Sequence, residues 1–510
     1  MKASLLNPKL AYQIIALSLA FALSAFAQAN SLITAQALAA KGSASAQYNL
    51  AMMYDRGNGV EQDSAKAAYW YQQAAEQGDT AAQNNLGLMY DFGEGIEQDF
   101  VKAVYWYQKA AEQGNPLAQK NLALMYEMGS GVEQNDRQAA YWFEKAAEQG
   151  DIVAQYNIGV FYDQGRGVKQ DSAKALYWYQ KAAIQGDIQA QNNLGAMYFE
   201  GTGAAQDYTA AYSWFEQAAR QGDASGEYNL GLMYESGLGV EQDYAQAIEW
   251  YQRAADHDNA LAQSALGWMY YSGEGAEVDY DKAYRLIKKA AIQGDATAQN
   301  NLGVLYNDGI AVEQDYAKAY DWYQKAAAQG EAGAQNNIGY FYESGTVVEQ
   351  DYSQAVYWYQ KAADQGYATA QAGLGWAYAS GQGVERDYDK AAQLLQQSVA
   401  QGDATGQNNT AVLYSMGMGV PQDFDKAFEL LQLSAAQHSP NGQRNMGVFY
   451  AGGYGVEQDS EKALEWFSIA CDNGDTRSCE LYEAYAMTND ATIAALEAAA
   501  AAAAAVVSEP

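Results

Sequence analysis

The sequence predicts an all-α protein, an α/α solenoid of twelve tandem units plus a half unit, and three observations carry that prediction. The chain repeats every 36 residues without insertion or deletion from Ala46 to Arg477, so that Ala82-Gln83-Asn84-Asn85-Leu86-Gly87 returns as Ala190-Gln191-Asn192-Asn193-Leu194-Gly195 and as Ala298-Gln299-Asn300-Asn301-Leu302-Gly303. A fixed period of this size marks a stacked array, in which each unit buries its apolar face against its neighbours. Within a period, Leu86, Met89 and Tyr90 fall at i, i+3 and i+4, the apolar stripe of an amphipathic helix. A second stripe follows with Ala103, Trp106, Tyr107, Ala110 and Ala111. Between the stripes stands Gly93-Glu94-Gly95, whose first glycine is glycine in all twelve units, as a left-handed helix terminus requires.

Along the chain, residues 1–29 are of another kind. Lys2 and Lys9 precede an apolar stretch from Ile14 to Phe26, and Ala25-Phe26-Ala27 or Ala27-Gln28-Ala29 supplies small-residue cleavage positions. This pattern is that of a secretory signal peptide, and the stretch falls short of the roughly 20 apolar residues of a membrane span. Neither cleavage site leaves a cysteine in front, which argues against a lipid anchor. Residues 30–45 hold a capping helix, since Ala35 to Lys41, closed by Gly42, copies the second half of a unit.

Units from 46 to 477 then each comprise two helices. Asp99 opens the second, and its equivalent is aspartate in eleven units and Asn135 in the other; both accept hydrogen bonds from the free N–H groups of a helix start. Asn115-Pro116 opens the next unit in the same way, with proline at the first helical position. Residues 478–487 make a terminal half unit. Over 488–510, Thr488-Asn489-Asp490 caps an alanine-rich helix or tail.

Charge and residue inventory narrow the functional classes. The net charge of −33 repels nucleic acid and anionic membrane surfaces and favours basic partners, although it equally serves as a solvated acidic surface. The two cysteines, Cys471 and Cys479, sit at the end of one unit's second helix and the start of the next helix; in an exported chain they read as a disulfide, with a two-cysteine metal site the weaker reading. His257 and His438 both fall at second-helix ends, where a histidine suits free carbonyls. Acidic loops such as Asp55 to Asp63 lack the alternating oxygens and closing glutamate of a calcium loop. No lysine follows a serine at the S-x-x-K spacing of serine β-lactamases. No catalytic residue, cofactor site or metal site is expected.

Two features remain as candidates for binding. The Asn85 position is asparagine in ten units; it forms either a ligand-facing ladder or, as preferred here, lateral amide bonds between units. Units seven and ten lose that asparagine (Ala265, Gly373), gain Trp268 and Trp376, and lose the second-helix tryptophan to Leu286 and Leu394. Exchange of ring volume within one core is the preferred account; two aromatic platforms for an extended partner are the other. Unit eleven, with Leu430, loses its tryptophan without compensation. Trp268, Trp376, Tyr48, Tyr156 and Tyr228 are the candidate partner-binding residues, tyrosine and tryptophan being enriched where interfaces carry energy.

The motif Ala334-Gln335-Asn336-Asn337-Ile338-Gly339, then Tyr342, Gly345 and Ala355-Val356-Tyr357-Trp358-Tyr359-Gln360-Lys361-Ala362-Ala363 resembles the Sel1-like repeat, a relative of the tetratricopeptide repeat. The resemblance covers nearly all of the mature chain. It implies a right-handed superhelix whose first helices line a concave surface, and adaptor or scaffold roles in the bacterial envelope, secretion or host contact. The Cys471–Cys479 spacing also resembles the helix-linking disulfides of cysteine-rich secreted members. The expectation is a periplasmic or secreted, non-enzymatic scaffold that binds a protein or peptide, with no nucleic acid partner and no membrane insertion of the mature chain. The alternative is an envelope glycan-binding protein or weak hydrolase acting on peptidoglycan or β-lactams.

Overall fold

Each 36-residue unit folds as two antiparallel helices because its caps and turns leave no other place for the breaks. In the computed structural model, which describes residues 32–486, the second unit shows the pattern. Helix α4 (Thr80–Phe92) begins at Asp79, whose carboxylate accepts from the Ala82 N–H at 2.8 Å, and ends at Gly93 with φ 71°. Helix α5 (Phe100–Glu112) begins at Asp99, which accepts from the Lys102 N–H at 3.0 Å. The second glycine of the turn has a further reason: a Cβ on Gly95 would lie 2.2 Å from the carbonyl of Ser64, at the start of the preceding second helix. Of the two units without this glycine, Ala311 adopts the left-handed conformation (φ 58°), whereas β-branched Val347 does not.

Packing follows the two stripes. Leu86, Met89, Ala103, Tyr107 and Ala110 are buried, and full burial of a side chain as large as Tyr107 contributes about 2–3 kcal/mol. The Gly87 position tolerates only glycine or alanine because Tyr107 lies against it, its ring 2.6 Å from where a Cβ would stand. Trp106 reaches further and packs on the cluster that includes Ala51, Tyr71 and Met89, joining one unit to the one before.

The described residues contain 26 helices and no strand. Helix α1 spans residues 32–40, and its Ala39 carbonyl accepts from Gln47 Nε2 at 3.2 Å, as the Ala75 carbonyl accepts from Gln83 one repeat later. Residues 1–31 and 487–510 lie outside the described part, and with them the signal peptide and the alanine-rich tail. Among the described residues no helix is long and apolar enough to cross a membrane.

The chain divides into two units, 1–254 and 255–510. Within the first, consecutive helices pack in pairs, first helix on second and second on the next first. Within the second, three first helices also touch directly: α20 (Ala368–Ser380) packs on α22 (Ala404–Met416), and α22 on α24 (Pro440–Gly452). Two small buried residues of α20, Ala372 and Ala379, lie in the cluster that includes Leu413 of α22. Among the described residues no two second helices pack comparably, so over these repeats the first helices form the inner layer.

Candidate functional site

The first helices of the C-terminal repeats enclose a groove of about 680 Å³. Its walls come from α18 (Ala332–Ser344), α20, α22, α24 and the start of α26 (Thr476–Ala486), with Gln350 and Tyr359 of the turn and second helix α19 (Tyr352–Ala363) at its side. Three kinds of side chain line it: amides (Asn336, Asn337, Asn408, Asn409), aromatic rings (Tyr340, Trp376) and a few charges (Glu343, Arg444, Arg477).

The amides are held by one another across repeats. Asn337 donates to Asn300 at 3.1 Å and Asn445 to Asn408 at 2.7 Å, and Asn121 makes the same bond to Asn84 in the N-terminal unit. The preferred reading of the Asn85 position is thus met in part: lateral amide bonds exist, but the acceptor is the residue one place earlier in the preceding repeat. A more continuous ladder runs through glutamines that sequence reasoning passed over. Gln83 donates to the Ala75 carbonyl at 3.0 Å and accepts from Gln113 at 2.8 Å, so one buried amide ties three helices. Gln119 and Gln299 do the same through Gln149 and Gln329.

The charges are placed by the fold. Tyr359 donates its hydroxyl to the partly buried Glu343, and burial raises that carboxyl above the usual range. This tyrosine–acid pair is a repeated device, since Tyr107 donates to Asp91 at 3.2 Å and Tyr71 to Asp55 at 3.1 Å. The sequence shows the pairing only in part: sixteen residues before Leu395 and Phe467 stand Ala379 and Ala451, but Phe143 keeps Glu127 and Tyr323 has Asn307. Arg444, only 9% exposed, bonds Asp475 at 2.9 Å and so fastens α24 to α26. Burial lowers its basicity, and the Asp475 carboxylate opposes that effect. Arg477 is exposed at the groove's end.

Cys471 and Cys479 are joined, with their Cα atoms 4.8 Å apart. The bridge ties the end of α25 (Ser460–Asp472) to the first turns of α26, next to Arg477.

Of the aromatic candidates, Trp376 lines the groove. Trp268 is 41% exposed and stacks on Tyr271 at 5.0 Å. Tyr48, Tyr156 and Tyr228 are half-buried, each ring leaning on the second-helix tyrosine of its own repeat (Tyr71, Tyr179, Tyr251) at 5.8, 5.9 and 5.7 Å. Neither ring is fully buried, Trp376 lining the groove and Trp268 standing partly in solvent. Leu394 takes up the place of a second-helix tryptophan beside the cluster of Tyr359 and Leu374, while Trp268 faces outward between Leu266 and Met269, both buried. The uncompensated loss at Leu430 leaves a crevice of about 400 Å³, lined also by Thr410, Leu413 and Leu433.

His438 stands at a second-helix end, as expected, with φ 58° and its N–H bonded to the Ala435 carbonyl at 3.0 Å; neither it nor His257 lines the groove. Asp63 caps its helix by accepting from the Lys66 N–H at 3.0 Å. Among the described residues no group of three or more His, Cys, Asp or Glu is placed to hold a metal ion.

Comparison with known proteins adds to this geometry. The Sel1 repeat matches twelve consecutive segments, from 44–79 through 440–475. Among solved structures, the chain is similar to c5321, a protective antigen of uropathogenic Escherichia coli strains displaying an SLR fold, with 34% identity, a TM-score of 0.67 and coverage of 88% of this chain and 97% of that one. It is also similar to a Sel1 repeat protein from Oxalobacter formigenes, at 34% identity over 62% of this chain and 93% of that one, with a TM-score of 0.49. No curated protein matches.

Proposed function

The chain belongs to the Sel1 repeat family, and from that membership we propose that it is an exported, non-enzymatic scaffold that holds a protein or peptide in the groove of its C-terminal repeats. Solenoids of Sel1 and tetratricopeptide-like repeats typically mediate protein–protein interaction. The observation that carries the reading is the groove itself. First helices supply most of its lining, rings of Trp376 and Tyr340 face it, and Tyr340 is 57% exposed with no partner ring. Exposed aromatic anchors beside satisfied amides are the composition of an interface centre. The composition of residues 1–29 and the Cys471–Cys479 bridge support export to the periplasm or beyond.

The test uses the chain as bait in envelope extract, beside a Trp376→Ala/Tyr340→Ala variant and a Tyr105→Ala control on an exposed second-helix face. A protein enriched about tenfold by the parent and the control, and lost with the groove variant, is the expected result. Retention of purified cell-wall glycan with no protein, or turnover of a chromogenic β-lactam, would overturn it.

A further inference from the structure

The charge of the groove is opposite to that of the chain. The sequence carries 62 acidic against 29 basic residues, yet the groove's charged lining is two arginines and one carboxylate. That carboxylate, Glu343, is already engaged by Tyr359. Arg444 is engaged too: its Nη1 meets Asp475 at 2.9 Å.

Arg477 has no such explanation. It lies close enough to Arg444 for the two like charges to oppose each other, and no carboxylate of the described residues pairs with it. It is also unique in the repeat: at the twelve equivalent positions, from Ser45 and Ala81 to Thr405 and Asn441, the residue is uncharged. Capping does not require it, because Asp475 already caps α26 by accepting from the Ser478 N–H at 3.2 Å. What Arg477 adds is an uncompensated positive charge at one end of a groove whose other charged residues, Glu343 and Arg444, already have partners within the fold.

Resting on the reading of the groove as a peptide-binding surface, we propose that its occupant is an extended peptide segment with an acidic side chain, whose carboxylate is taken by Arg477 at the α26 end. The amides of Asn336 and Asn409 face the segment's backbone, and Trp376 takes an apolar side chain further along. An arginine fork matches a carboxylate in two parallel hydrogen bonds, which supplies register as well as attraction. A polyanion does not suit the site, because the surrounding field of a chain at −33 repels extended negative charge while a single carboxylate meets mainly the local arginine. The Cys471–Cys479 bridge and the Arg444–Asp475 pair hold the first turns of α26, and so the arginine's place at the groove end.

A bead-bound random octapeptide library, acetylated and amidated so that its only carboxylates are side chains, tests the proposal. The full chain is expected to enrich aspartate or glutamate about five- to tenfold at one position. Arg477→Gln should abolish that preference, Arg477→Lys should keep part of it, and Arg477→Glu should replace it with lysine or arginine. Because Arg477 is exposed, these variants should melt with the parent, which circular dichroism checks. Peptides selected without an acidic preference, or with one that survives Arg477→Gln, would overturn this inference and leave the scaffold reading standing. Failure to select any peptide, with retention of cell-wall glycan, would overturn both.

Discussion

Helix one of the second repeat and helix one of the twelfth have the same length and the same kind of cap, yet they bury different faces. Helix α4 buries Ala82, Gln83, Asn84, Leu86, Gly87 and Met89. Helix α24 buries those equivalents and also Asn445, Val448 and Ala451. The difference lies in residues that depart from the repeat. Asp91, paired with Tyr107, becomes Ala451 opposite Phe467, and a small apolar side chain replaces a hydrated acid. The lesson is that recurring residues build one helix pair, whereas the departures decide what else a first helix buries.

The largest effect should come from forcing one region's rule on the other. Ala451→Asp buries a carboxylate without its tyrosine, and a loss of about 3 kcal/mol in urea unfolding is expected. Adding Phe467→Tyr restores the pair and should recover roughly 1 kcal/mol, a coupling that a double-mutant cycle measures. No recovery would mean that the tyrosine–acid pair is not the reason for the exchange.

A smaller effect, of opposite sign, is expected at the crevice beside Leu430. Leu430→Trp returns the ring found in most other repeats to a cavity of about 400 Å³, and a gain of about 1 kcal/mol is predicted. Destabilisation would show that the neighbouring Thr410 and Leu433 have closed on the space.

The smallest effect is a pH dependence. Glu343 has its carboxyl raised by burial, so the folded chain holds that proton more tightly than the unfolded one. The contribution is therefore fully present below the ordinary glutamate pKa and is lost as pH rises through the raised value. Stability of Glu343→Gln relative to the parent should accordingly increase with pH above the usual carboxylate range. Exposed caps behave oppositely: hydrogen bonds from the Lys102 backbone and side chain hold Asp99 below its ordinary value, and its contribution is lost as pH falls. A flat difference for Glu343→Gln between acid and neutral pH would contradict the placement of that carboxyl.

How much of this was legible in the sequence depends on the distance over which each feature acts. Asp99 as a cap, Gly93 as a terminus and Trp106 on an apolar stripe act within a turn or one helix, and the 36-residue period displays each of them repeatedly. The bridge between Cys471 and Cys479 was equally near at hand, eight residues apart. Of the aromatic candidates only Trp376 reaches the groove, because composition names interface-prone rings without saying which face of a helix remains open. Arg477 was not singled out at all, although its place among twelve uncharged equivalents was there to read.

The sequence by itself determined the helices, their caps, their pairing and the repeat that stacks them, since these rest on backbone geometry and on apolar spacing within about one turn. Only the tertiary structure decided which amides, acids and rings meet. Gln83 reaches Gln113 across 30 residues, Tyr359 reaches Glu343 across 16, and Arg444 reaches Asp475 across 31. Those contacts exist because stacking brings particular helix faces together. The groove exists because α20, α22 and α24 pack directly on one another, a property of packed surfaces that no single helix contains.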